Sequence, residues 1–155
     1  MGVSAKVKYD DDFFLWTQEQ AAALREAAKA RTNLPIDFEQ IAEEIDDLGR
    51  SSKTAIRNLC KQVIVHRLKL DHSPALYPRN SWAHEITNFQ TDIALIVSDS
   101  PSLRQFLPRL IDQAWLLGRR YAIADLFKDG VDGRDLPELC PYSARDILGE
   151  MLDDL

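Results

Sequence analysis

The chain has 155 residues, about one domain's length, with 45% hydrophobic and 28% charged residues, an ordinary globular composition. Its 19 Lys and Arg against 25 Asp and Glu give a formal net charge of −6, which argues against a general binder of nucleic acid or anionic membrane, since both need a positive footprint. Two distant cysteines, Cys60 and Cys140, exclude a disulfide framework and a zinc knuckle; with no apolar leader and no apolar run of about 18 residues, the sequence predicts a soluble cytoplasmic protein.

Periodicity is helical nearly everywhere. Residues 1–8 are expected to form a flexible N-terminal arm. The acidic cluster Asp10–Asp12 suits a helix N-terminus, and Phe13, Trp16, Gln20, Leu24 and Ala27 follow at helical spacing until Asn33-Leu34-Pro35 stops them. A second helix begins at Asp37, with Gln40 at the capping-box position. Its stripe is Phe38, Ile41, Ala42, Ile45 and Leu48, and Gly49 reads as its C-terminal signal. A third runs from Ser52 to about Asp71. Pro74 and Pro78 then impose a loop.

Ser81 reads as the cap of a fourth helix carrying Trp82, Ile86, Phe89, Ile93 and Ile96, ended by Asp99-Ser100-Pro101. Pro108 divides the next segment into a short turn and a long helix from Leu107 to about Lys128. That helix is apolar on much of its circumference, which points to a central position or to burial by a second chain. A loop over 129–142 precedes a short C-terminal helix from Ser143. The expected fold is one all-α domain, residues 1–155, a bundle of five or six mostly antiparallel helices.

Several blocks, in this order and spacing, resemble a bacterial family catalogued only as a domain of unknown function, the twenty-ninth so named. They are Tyr9–Trp16 (YDDDFFLW), Phe38–Gly49 (FEQIAEEIDDLG), Ser52-Lys53, His66 with Leu68-Lys69, Ser81-Trp82, Asp99–Leu103 (DSPSL) and Cys140–Tyr142. The resemblance covers about Tyr9 to Leu155. It implies an all-α domain and no activity.

Charge is segregated along the chain. Asp37–Leu48 carries six acids and no base; Gly49–Asn80 carries seven bases against Asp71. If Gly49–Ser51 turns the chain, Glu43 lies level with Arg57, and Asp46 and Asp47 with Lys53 and Thr54, so the two segments neutralise each other. The functional alternative is a metal or basic-partner site on Glu43, Glu44 and Asp47. No Glu-x-x-His unit is present, which disfavours a di-iron carboxylate centre.

His66 sits on an apolar face, where a histidine is more often a satisfied core residue than a ligand. With the third and fourth helices antiparallel, it lies level with about Ile86, and the register predicts an approach to Glu85, directly or through water. His72 and His84 point elsewhere, so no chelating set emerges. No Gly-x-Ser-x-Gly elbow or phosphate-binding glycine loop occurs. Cys140 reads as a packing residue.

No cofactor and no metal are expected. The leading reading is a non-catalytic helical interaction module, with an unidentified protein partner or self-association. Its nominated binding residues are Glu43, Glu44, Asp47, Lys53, Arg57 and Trp82. An enzyme using a small molecule or metal in a cleft near His66, with Glu85 and Lys69, is the first alternative. Weak nucleic-acid binding through Arg50, Lys53, Arg57 and Lys61 is the second.

Overall fold

A computed structural model describes residues 6–155. Part of the expected N-terminal arm, residues 1–5, lies outside the described residues. The amide of Val7 donates to Glu19 Oε2 at 3.1 Å. The helices are α1 (Phe13–Lys29), α2 (Phe38–His72), α3 (Arg79–Asp99), α4 (Leu107–Lys128) and α5 (Ala144–Leu148), with 3-10 turns at Pro101–Phe106 and Gly149–Asp154. Among the described residues there is no strand.

Asp12 caps α1 by accepting from the Leu15 amide at 2.9 Å. Its carboxylate also accepts from the amide of Ser102 (2.7 Å) and from the Ser102 hydroxyl (2.9 Å). In return the Phe14 amide donates to Ser100 Oγ at 3.0 Å. The two ends of the chain's first half-turn and the 3-10 turn therefore satisfy one another's orphan donors. Asp12→Ala should cost about 1–2 kcal/mol in urea denaturation, and Asp12→Asn less, since its amide oxygen still accepts one of these bonds.

The expected break at Gly49 is absent: α2 is one helix of 35 residues, roughly 50 Å long. A single glycine inside a helix costs only about 1 kcal/mol, and here it has a packing reason. Gly49 is buried against α1, where a Cβ would meet Thr17 Oγ1 at 2.7 Å and Phe14 Cδ2 at 3.3 Å. It is a close-approach glycine rather than a terminator.

The second half of α2 is the central element of the bundle, burying Ile56, Cys60, Val63, Ile64, Val65 and Leu68. Of the two positions expected for α4, central or buried by a second chain, the first is not the one it takes. It covers one side of α2 with Leu107, Leu110, Ile111, Ala114, Trp115, Ala122 and Leu126, crossing at Gly118, where a Cβ would meet Ile64 Cγ2 at 2.9 Å. On another side α3 buries Trp82, Ile93 and Val97. It starts at Arg79 with Pro78 before it, not at Ser81; the Arg79 guanidinium reaches back and donates to the Leu70 carbonyl (2.8 Å), closing the α2 C-terminus. The first half of α2 packs on α1.

The 129–142 segment is tied to α4. Trp115 Nε1–H donates to the Glu138 carbonyl (3.0 Å), and the Arg119 guanidinium to the Leu136 carbonyl (2.8 and 3.0 Å). Ser143 and Asp146 form a capping box that opens α5, which closes the bundle with Ile147 and Leu148.

Candidate functional site

The antiparallel register of α2 and α3 brings His66 and Glu85 together directly, Nε2 to carboxylate at 2.5 Å. The other ring nitrogen, Nδ1, faces the Gln62 carbonyl at 2.8 Å. Both ring nitrogens thus face acceptor oxygens. The His66 side chain is only 12% exposed and meets the Phe89 ring edge-on at 5.5 Å. Lys69, the third residue of the enzyme alternative, turns elsewhere. Its ammonium lies 4.6 Å over the ring of Trp82, itself buried, and 3.6 Å from Asp125 of α4.

Five surface grooves have lining residues that exclude His66, Glu85 and Lys69. The groove under the 129–142 segment, about 390 Å³, is lined by Leu68, His72, Trp115, Asp132 and Tyr142 among others. Burial raises the Tyr142 phenol above its ordinary value. Neither thiol is activated: burial pushes Cys60 up to about 12, and raises Cys140, so both are held as thiols at neutral pH.

The straight course of α2 overturns the expected hairpin pairing of Glu43 with Arg57 and of Asp46 and Asp47 with Lys53. The counter-ion is Arg25 on α1, 2.7 Å from both Glu43 and Asp46 and 3.9 Å from Glu39. Arg57 does not face Glu43. Asp47 pairs with Arg50, and Glu44 accepts from Gln40 at 3.0 Å. Glu43, Glu44 and Asp47 therefore do not converge; among the described residues no group of three or more His, Cys, Asp or Glu could hold a metal ion.

Nor do Arg50, Lys53, Arg57 and Lys61 make one open basic stripe. Arg50 is drawn to Asp47 and Glu43, and Lys61 lies 5.0 Å over the Tyr121 ring. Lys53 sits 3.7 Å over Phe106 and 4.8 Å over Phe14. Two cations escaped the sequence reading. Arg25 gave no local sign that it would face the acidic block. Arg109, far along the chain, lines a groove with Lys53 and Arg57, a neighbour only the α2–α4 crossing creates.

Exposed apolar side chains also stand on the outward side of α4. Leu116 is 67% exposed and Phe127 78%, and Leu117 and Tyr121 are exposed on a flank roughly 100–140° round the helix. At about 100° per residue, Leu116, Ile123 and Phe127 fall within roughly 40° of one another. The end of this face runs into an apolar groove of about 710 Å³ lined by Ile123, Ala124, Phe127 and Val131. Among the described residues no helix is long and apolar enough to cross a membrane.

A family model described as "Domain of unknown function DUF29" matches residues 8–152. The chain is also similar to a crystallised alpha-helical protein of unknown function from Rhodospirillum rubrum ATCC 11170. The identity is 28% and the TM-score 0.77, over 94% of this chain and 92% of that one. No curated protein matches.

Proposed function

We propose, for a chain that belongs to the DUF29 family and takes no chemistry from that membership, that it works as a non-catalytic helical interaction module, associating with a second copy of itself through the outward face of α4. The observation that carries this reading is the two-sided apolar character of α4. One side is spent on the core, and the other leaves Leu116, Leu117, Tyr121 and Phe127 in water. Leu116 and Phe127 share one face with half-buried Ile123, interrupted by exposed Arg120, and large exposed apolar side chains grouped on a helix face mark an interface more often than a free surface. A two-fold dimer needs only one patch, used by both subunits. The pairing of His66 with Glu85 outside the grooves described above, and the unactivated thiols, favour docking over catalysis. Two free cysteines suit a reducing compartment, and we place the module in the bacterial cytoplasm.

Sedimentation velocity across the micromolar range tests the assignment. The wild type should sediment as a dimer of the 17.7 kDa chain. Leu116→Glu and Phe127→Glu should sediment as folded monomers, because each places a charge in the apolar contact and neither side chain supports the core. A wild type that stays monomeric throughout that range overturns self-association.

A further inference from the structure

The straight course of α2 has an electrostatic consequence at its middle. Arg50, Lys53 and Arg57 stand at i, i+3 and i+7 on one helix face. Across from them, α4 contributes Arg109 and Gln113, and Phe106 forms the floor. These residues line a groove of about 340 Å³ whose lining includes no carboxylate. The chain has 25 acidic residues and a net charge of −6, yet four cations gather here without one.

Arg50 at the edge has partners in Asp47 and Glu43. Lys53, Arg57 and Arg109 form no ion pair among the described residues. Arg57 Nε is also the one buried side-chain polar atom among the described residues with no hydrogen-bond partner. An unpaired buried donor on a charged group is costly. Lys53 is held by two aromatic faces instead of an acid, and burial together with the charge of Arg109 lowers its pKa. The groove therefore gathers like charges around one unsatisfied buried donor.

We infer that this groove between α2 and α4 is an anion site that takes the phosphoryl group of a small phosphorylated molecule. Arg57 and Arg109 approach from opposite walls, and each guanidinium can present a fork of N–H donors to an oxyanion. Lys53 adds a third charge, and the Thr54 hydroxyl and Gln113 amide on the rim add neutral donors. A tetrahedral oxyanion offers acceptors in the several directions these groups come from. A nucleic-acid strand fits the surface less well. The basic run is interrupted on one side by Arg50 turned to its acids and on the other by Lys61 drawn over Tyr121, leaving a pocket for a single group and no track for a backbone.

Isothermal titration and thermal unfolding with inorganic pyrophosphate test the site, with sulfate at matched ionic strength and citrate as comparison anions. The wild type should bind pyrophosphate in preference to both and gain thermal stability with it. Arg57→Gln and Arg109→Gln should each weaken binding by roughly tenfold or more, the loss expected for a charge-assisted pair of hydrogen bonds. Arg145→Ala, which breaks an exposed pair with Asp153 on another part of the surface, should leave binding unchanged. Arg109 is exposed, so its variant reports even where Arg57→Gln perturbs folding. The two proteins should also cross over. Without ligand at low salt, Arg109→Gln should melt above the wild type, because one repelling charge is gone; with saturating pyrophosphate the order should reverse. Equal affinity of wild type and Arg109→Gln for pyrophosphate overturns the site. So does preference for citrate, or tight binding of a single-stranded oligonucleotide with no binding of pyrophosphate.

Discussion

Trp115→Ala should lower the unfolding free energy by about 3–5 kcal/mol, the range for truncating a large aromatic in a closed core. Trp115 heads the fully buried side chains, at 1% exposure. It meets the Tyr142 ring edge-on at 5.8 Å and donates to the Glu138 carbonyl. The loss is therefore of two kinds: a cavity at the α2–α4 seam, and release of the segment that α4 holds down. Trp115→Phe separates them, since it keeps most of the volume and drops the hydrogen bond. It should cost clearly less in urea denaturation, about 1–2 kcal/mol, while still raising amide exchange across 136–142. If the two variants are equally destabilising, the indole bond to Glu138 and not the packing carries the effect. Equal and small losses would mean that this side chain is not at the centre of the core.

The parts of the fold that could be read in the sequence are those set by local chemistry. Asp37 caps a helix as its spacing to Gln40 predicts, and the acidic cluster Asp10–Asp12 marks the start of α1, where Asp12 accepts from the Leu15 amide. Ser100, before Pro101, is held out of the α region and ends α3, and Pro108 falls in the first turn of α4, where its missing N–H leaves no helix bond unmade. The His66–Glu85 contact followed from register alone, because two antiparallel helices joined by a short loop leave little freedom in which residues face each other. What stayed hidden was decided by neighbours remote in the chain. Gly49 has the local form of a helix end, and only Thr17 of α1 makes it a packing position. Ser81 is a good cap, but the helix begins earlier because Arg79 closes the preceding α2 C-terminus. The apolar circumference of α4 was visible, but periodicity cannot say which side meets the core. The charge blocks were visible too; their neutralisation was misassigned because it depended on the turn at Gly49 that does not form.

Gly49→Leu should destabilise the protein by about 2–3 kcal/mol, the usual range for overpacking a close contact, although leucine is a far better helix former than glycine. The two effects oppose each other, and their balance reports the geometry. A Cβ at position 49 falls 2.7 Å from Thr17 Oγ1 and 3.3 Å from Gln18 Nε2, and Thr17 cannot swing away freely: it is fully buried, and its hydroxyl donates to the Phe14 carbonyl at 2.6 Å. The remaining carbons of a leucine need the space α1 fills, so α1 must lift off the first half of α2, taking the ion pairs of Arg25 with it. Gly49→Ala should cost less, and its cost should shrink or change sign in a Thr17→Ala background, where the obstructing hydroxyl is gone and only the helix-propensity gain is left. Urea denaturation of the four proteins in this cycle measures the coupling. A clear non-additive term places Gly49 against Thr17 inside one continuous helix. Strict additivity would mean that Gly49 does not pack against Thr17.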